Sequence, residues 1–143
     1  PSARLSYQTA SGSMRVEVFS LIEGLVLASA SQSFENLQVW QRSMDVAVEV
    51  CQAISKINNF ALRDQISRSA LSIPSNIAEG AERPGKAEFR QFLGYAKGSA
   101  GELRTQIMIA EKLNLIDSVN AKRWIEETRE ISRMLSGLYR SLS

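Results

Sequence analysis

The chain has 143 residues, 44% of them hydrophobic and 22% charged, which is typical of one globular domain with a substantial core. Its 17 basic and 15 acidic residues give a net charge of +2, too weak by itself to indicate a nucleic-acid-binding protein. It contains no histidine and one cysteine, Cys51, which excludes Ser-His and Cys-His catalytic pairs, an internal disulfide and a cysteine-ligated metal cluster.

The first segment with a pattern of its own, residues 14–30, resembles a short signal peptide only in part. An arginine precedes an apolar run that ends in small residues, but Glu17 and Glu23 interrupt the run, which is also too short to span a bilayer. We therefore interpret residues 1–33 as an N-terminal extension or arm that docks on the body of the protein or on a neighbouring subunit. A second interpretation takes Met14 as an internal start, with residues 1–13 upstream of it.

Four apolar stripes follow from residue 34 onward, each with the three- or four-residue period of an α-helix. The first consists of Leu37, Trp40, Met44, Ala47, Cys51 and Ile54. The second consists of Leu62, Ile66, Ala70, Ile73 and Ile77. The third consists of Phe89, Phe92, Ala96, Leu103, Ile107 and Ala110. The fourth consists of Trp124, Ile131, Leu135, Leu138 and Leu142.

The connections between these stripes are short. Asn58-Asn59 and Pro84-Gly85 are predicted to form turns. Pro84 disfavours the helical conformation in the residue before it, so the second helix is expected to end near Arg83. No strand pattern interrupts residues 34–143. The sequence therefore predicts an all-α, antiparallel, up-down-up-down four-helix bundle over residues 34–143, preceded by the extension.

The stretch I-P-S-N-I-A-E-G-A-E-R, residues 73–83, is either a catalytic or ligand loop or a deformed helix. The apolar phase continues across Pro74, which favours one helix kinked at that proline. The carbonyl of Ala70 then loses its usual donor, and the hydroxyl of Ser72 or Ser75 is expected to help satisfy the freed backbone groups. Gly80 leaves a notch for another helix, and Glu79 precedes Arg83 in the favourable order for a surface pair. Catalysis is disfavoured because the serine has no histidine partner.

Three glycines interrupt the third helix in G-Y-A-K-G-S-A-G-E, residues 94–102. Each glycine destabilises a helix by about 1 kcal/mol relative to alanine. We interpret them as sites where a neighbouring helix lies close. A phosphate-binding loop is the alternative, but the GxxxxGK[ST] spacing and the preceding strand are missing.

The third helix also carries a line of cations, Lys86, Arg90, Lys97 and Arg104, at spacings of 4, 7 and 7. These spacings place the four residues, hereafter the basic ridge, within about 40° of one another along about 27 Å of helix. Such a ridge suits the phosphates of a nucleic acid. The alternative is a solvated flank whose side-chain stems cover apolar surface. No aromatic residue is interleaved with the ridge, so we expect contacts to the backbone and not to bases.

Three segments resemble the four-helix-bundle 23S rRNA intervening-sequence proteins: FENLQVWQRS (34–43), QISRSALSIPSNIAEGAER (65–83) and EFRQFLGYAKGSAGELRTQ (88–106). The resemblance extends over about residues 34–142. Its motif positions include Asn76, Glu79, Gly80, Gly98, Ser99 and Glu102, and Pro74 lies among them. They form no evident metal site. We expect the two glutamates to meet across the second and third helices, within a buried polar network that fixes helix register.

The resemblance implies a bacterial, cytoplasmic homopentamer around a central channel, with no assigned enzyme activity and no cofactor. Some members are encoded inside insertions of large-subunit ribosomal RNA. A related branch, the accessory protein of diversity-generating retroelements, binds a reverse transcriptase and nucleic acid. No membrane association or small-molecule substrate is expected.

Two functions are therefore considered. The first is a non-enzymatic, oligomeric scaffold associated with structured RNA or with a nucleoprotein such as a reverse transcriptase. The second is a structural or protein-interaction module that does not bind nucleic acid. An exposed apolar groove, or an arm docked on a neighbouring subunit, would indicate the second.

Overall fold

The computed structural model describes residues 17–18 and 33–143, and residues 34–143 form one compact unit. A short 3-10 helix, Phe34–Asn36, is followed by four α-helices. These are α1 (Gln38–Ile54), α2 (Phe60–Glu82), α3 (Lys86–Lys112) and α4 (Ser118–Ser141). The predicted all-α, four-helix fold is confirmed. The predicted arm lies, apart from residues 17–18 and 33, outside the described residues.

The helix ends are set by local side-chain chemistry. The side chain of Asn59 accepts a hydrogen bond from the Leu62 amide, 3.1 Å, and caps α2. Asp117 caps α4 in the same way, through the Asn120 amide at 2.8 Å. After α3 the chain reverses at Asn114, whose φ of 58° lies in the left-handed region that asparagine tolerates. Short connections of this kind bring successive helices side by side.

Each helix packs against the next along the chain, and α4 packs against α1. In the α2–α3 pair, Ser69 meets Gln106 whereas Gly80 meets Phe92, so these two helices run in opposite directions. The α1–α4 pair shows the same reversal. Arg42 meets Glu127, whereas Glu49, two turns later in α1, meets Arg123, one turn earlier in α4. These two pairs are therefore antiparallel, as an up-down-up-down order requires.

The core is built from apolar residues of all four helices. Helices α2 and α4 bury most of the residues that periodicity predicts, whereas Leu62, Leu138 and Leu142 are only partly buried. In α1 the prediction is wrong by about a quarter turn. Met44 is 38% exposed, and Trp40 and Cys51 are half-buried. The residues that α1 buries are Val39, Ser43, Val46, Ala47, Val50 and Ile54. Both series have a helical period, so periodicity alone could not identify the inner one.

Two polar contacts join α1 to α4. The Arg42 guanidinium donates to both carboxylate oxygens of Glu127, at 2.6 and 2.7 Å. The Glu49 carboxylate accepts from Arg123 at 2.7 Å and from the indole Nε1–H of Trp124 at 3.0 Å. These two donors, the indole first, lower the pKa of Glu49 below its ordinary value.

The 73–83 stretch is part of one uninterrupted helix, as predicted, with Pro74 buried inside it. The expected hydroxyl bond to the Ala70 carbonyl is not found in the described residues, since the Ser72 hydroxyl pairs with Ser99 instead. The notch at Gly80 is present. A Cβ added at Gly80 would lie 2.6 Å from the Cβ of Phe92 and 3.3 Å from a backbone oxygen, so only glycine allows this approach of α2 to α3.

The glycines of α3 behave differently. A Cβ added at Gly94 or Gly98 would meet no described atom within 4 Å outside its own helix, and at Gly101 it would meet only the Arg104 side chain, at 3.8 Å. The prediction that a neighbouring helix of the same bundle lies close to these glycines is therefore wrong. They leave three positions on the outer face of α3 without a side chain.

The contrast between these glycines gives the first prediction. Gly80→Ala should lower the free energy of unfolding by about 1–3 kcal/mol, because the new methyl overlaps Phe92. Gly98→Ala should raise it by about 0.5–1 kcal/mol, because alanine restricts the unfolded chain and meets no obstacle. Urea denaturation followed by circular dichroism measures both. Equal effects of the two substitutions would contradict the packing described for α2 and α3.

The second prediction concerns Glu49 and acid. A carboxyl whose pKa is lowered in the folded state stabilises the fold above its unfolded pKa, near 4.5, and this stabilisation is lost as the pH falls through the folded pKa. Glu49→Gln should therefore reduce the loss of stability between about pH 5 and pH 3, by less than about 1 kcal/mol since the pair is partly exposed. Thermal melts across pH measure this. Glu82→Gln, on the exposed end of α2, is the control and should leave the acid dependence unchanged.

Candidate nucleic-acid interface

The basic ridge lies along α3, on the flank that faces α4. Lys86 and Lys97 are exposed, and Arg90 and Arg104 are half-buried. The opposite flank of α3 is occupied by contacts with α2, through Phe92, Ser99 and Gln106. At a rise of 1.5 Å per residue, the ridge is about 27 Å long. The ridge therefore presents a straight row of cations at the edge of the α3–α4 pair.

In the described residues, no carboxylate neutralises the ridge. None of its four cations makes an ion pair with another residue in the part of the chain that the structure describes. Most other arginines are paired: Arg42, Arg68, Arg83, Arg123, Arg129 and Arg133. The charge of the ridge is thus available to an external anion.

Charge is unevenly divided between the two halves of the bundle. Helices α3 and α4 each carry five basic and three acidic residues, which gives the pair a net charge of +4. Helix α1 carries one basic and two acidic residues and α2 carries two and three, which gives that pair −2. This separation is not evident from the small net charge of the whole chain. Because the α3–α4 side is positive, it is the side that attracts a polyanion.

An aromatic residue adjoins the ridge after all. The Arg90 guanidinium lies 5.8 Å from the centroid of the Tyr139 ring, which belongs to α4 and is 47% exposed. The sequence interpretation of the ridge as free of aromatic residues considered α3 alone and is wrong at this point. The signal in the sequence was Tyr139 itself, near the end of the fourth helix, which an antiparallel neighbour brings beside the start of the third.

The motif residues of α2 and α3 form polar links inside the bundle. The Ser72 and Ser99 hydroxyls pair at 2.8 Å, and the Asn76 amide donates to the Ser72 hydroxyl and carbonyl, each at 2.8 Å. The Ser69 hydroxyl donates to the Gln106 side chain at 2.6 Å. Asn76 is thus directed into its own bundle. Serine and amide side chains carry this network.

The expected meeting of Glu79 and Glu102 does not occur. Glu79 is paired with Arg83 at 3.0 Å, whereas Glu102 accepts from Gln106 at 3.5 Å. Glu102 lies on α3 between Ser99 and Gln106, which contact Ser72 and Ser69, so it is about 10–15 Å along the helix from Glu79. Within the described residues, no three histidine, cysteine, aspartate or glutamate side chains could hold a metal ion together. No helix of that part of the chain has the length and hydropathy of a membrane span.

An exposed apolar groove of about 560 Å³ lies on the opposite side, between α1 and α2. The Phe34 and Trp40 rings, 5.3 Å apart, lie at one end. Its walls include Met44, Val48 and Leu71, which are 38%, 51% and 54% exposed. Much of the stripe predicted to form the inner face of α1 therefore lines this groove. The Cys51 thiol lies in it too, and burial raises its pKa, which makes it a poor nucleophile.

Comparison with known proteins places this geometry in a family. The profile of the 23S rRNA-intervening sequence proteins matches residues 35–137. A crystal structure of a protein of unknown function from the S23 ribosomal protein family of Bacteroides thetaiotaomicron has a similar fold, with a TM-score of 0.66 and 23% identity over 71% of this chain and 97% of that one. No curated protein matches the chain. Because the profile covers nearly the whole bundle, the chain belongs to the 23S rRNA intervening-sequence protein family.

Proposed function

We propose that this protein is a non-enzymatic, oligomeric scaffold that acts in the cytoplasm and binds structured RNA, free or within a nucleoprotein such as a reverse transcriptase complex. The observation that carries the proposal is the basic ridge, four cations along about 27 Å of helix without a carboxylate partner in the described residues. Family membership supports it, since the family is described by its link to ribosomal RNA.

The ridge suits phosphates better than a compact anion. A rigid helix holds its cations at fixed intervals, so successive residues can follow a polyanion. Binding of this kind releases counterions, and its affinity falls steeply with salt. Several copies in one assembly would add their ridges and raise the avidity for a long RNA.

The proposal includes self-association, with five copies expected from the family resemblance. Two faces of the bundle favour a head-to-tail contact between copies: the apolar groove on the acidic α1–α2 side, and the glycine-bearing outer face of α3 on the basic side. Opposite charges complement each other across such a contact. Head-to-tail contacts close into a ring when the rotation between copies permits it.

The same groove favours a second candidate function, a module that binds another protein and no nucleic acid. Its exposed side chains, Val48 and Leu71 among them, form the kind of apolar surface that marks a protein interface. An amphipathic helix of a partner could occupy it. A measurement of RNA binding distinguishes the two candidates, because only the first is expected to bind RNA.

The third prediction tests the ridge. The parent protein should bind a labelled RNA hairpin with an affinity whose logarithm falls by about 3 to 4 per tenfold increase in salt, as expected for about four phosphate contacts per subunit. Reversing Arg90, Lys97 and Arg104 to glutamate should abolish binding at about 0.1 M salt without unfolding the bundle, because the three side chains are at least partly exposed. Fluorescence anisotropy measures affinity, and circular dichroism checks the fold.

A control variant changes the net charge by the same amount elsewhere: Lys56→Glu, Arg68→Glu and Arg123→Glu. These residues lie on the loop after α1, on α2 and on the side of α4 that faces α1. Lys56 makes no ion pair in the described residues, and loss of the exposed Arg68–Asp64 pair should have a small effect on stability. Because Arg123→Glu also removes the contact with Glu49, circular dichroism checks the fold of this variant too. If both triple variants lose binding equally, net charge and not the ridge is responsible. If the ridge variant binds as the parent does, the site is wrong.

The fourth prediction tests the groove. The parent should sediment as an oligomer, and Val48→Glu with Leu71→Glu should reduce its mass to that of a monomer, because two carboxylates would be buried in the contact. Val119→Glu is the matched control, since Val119 is 78% exposed and lies on α4 outside the groove. Analytical ultracentrifugation measures the mass. A parent that is monomeric, or a groove variant that stays oligomeric, would contradict this part of the proposal.

A further inference from the structure

We propose that Tyr139 and Arg90 form a stacking site for an unpaired base, so that the RNA bound along the ridge is single-stranded where α3 begins and α4 ends. This inference rests on the proposed function. It adds a ligand class that phosphate contacts by themselves do not specify, and it adds a residue of α4 to a site otherwise built from α3.

The fold makes little use of this pair. Tyr139 is 47% exposed although it is a large aromatic residue, and its hydroxyl makes no hydrogen bond in the part of the chain that the structure describes. Arg90 makes no ion pair there, and its described contact is the ring of Tyr139, at 5.8 Å. A cation beside an exposed ring stabilises a fold only weakly. The arrangement therefore has a small structural role and leaves much of an aromatic surface free.

Two further cations lie close to this pair along their own helices. Lys86 lies one turn before Arg90 on the same face, and Arg140 follows Tyr139 in the last turn of α4. Residues 131–143 contain no acid, and Glu88, the one acid in residues 86–101, is directed to Arg83 at 3.8 Å. Both helices that meet at the ring therefore carry cations, on α3 and on α4, for the phosphates that flank a stacked base.

This combination is typical of sites for single strands. Aromatic rings supply a stacking surface that accepts any base, and neighbouring cations follow the backbone. Bases inside a duplex are already stacked on each other and cannot reach such a ring, whereas loops and single-stranded ends can. The ligand class is therefore single-stranded RNA, or an unpaired stretch in a structured RNA, with little sequence preference.

Tyr95 provides an internal comparison. It is 49% exposed, but its ring packs edge-on against Phe92, with 5.5 Å between centroids, and its hydroxyl accepts from Gln91 at 2.7 Å. It lies about 140° around α3 from Arg90. Exposure is therefore nearly equal at the two tyrosines, while only Tyr139 adjoins the ridge.

The experiment compares two probes of equal length on the full chain: a 5′-labelled dodecamer of uridylate and its abasic counterpart, which keeps the phosphates and lacks the bases. We expect the parent to bind the uridylate about 5- to 100-fold more tightly than the abasic strand. Tyr139→Ala should remove most of this difference and leave abasic binding unchanged. Tyr139→Phe, which keeps the ring, should preserve the difference, and Tyr95→Ala should have no effect.

The outcomes separate this inference from the proposed function. If the parent binds both probes equally and the ridge reversal abolishes that binding, the ridge holds phosphates and the stacking site is wrong. If Tyr139→Ala weakens both probes equally, the ring supports the fold of the ridge and does not stack a base. If the parent binds neither strand nor hairpin, the proposed function and the stacking site are both wrong.

Discussion

The contact between α2 and α3 at Gly80 is the constraint on which the surface of this protein depends. A backbone without a side chain lets α2 approach the Cβ of Phe92 to a distance that no other residue allows. Polar links at Ser69 and Ser72 hold the rest of the pair in the same register. Since one flank of α3 is committed to α2, the cations on its other flank must lie beside α4 or in solvent. The position of the basic ridge is thus a consequence of packing on the opposite side of its helix.

Electrostatics then distinguishes the helices. Arg42 and Arg123 join α1 to α4 through carboxylates, so their charges are used within the bundle. On α3 the carboxylates lie elsewhere: Glu102 accepts from Gln106, and Glu88 is directed to Arg83. For this geometric reason the cations of the ridge have no carboxylate partner in the described residues. An uneven field across the bundle follows, although the net charge of the chain is small.

The two sides of the bundle therefore offer different chemistry. The α3–α4 side combines cations with the ring of Tyr139 and bare glycine backbone, and the α1–α2 side offers an apolar groove. The apolar face of α1 is wider than the part of it that is buried in the core, so the side chains of Met44 and Val48 remain exposed. A protein that binds a polyanion along its ridge and receives a copy of itself at its groove would use both surfaces.

The sequence by itself determined the helices, their caps and the continuity of α2 across Pro74, because these depend on neighbours within a few positions of the chain. It also determined that the four cations of the ridge share a face, since this follows from helical geometry alone. It did not determine which of two apolar series on α1 is buried, nor that Gly98 faces open space while Gly80 meets Phe92. The separation of Glu79 from Glu102 and the approach of Tyr139 to Arg90 were likewise decided only by tertiary structure. Each of these depends on the rotation and register of one helix against another, and such long-range packing leaves no periodic signal in either helix.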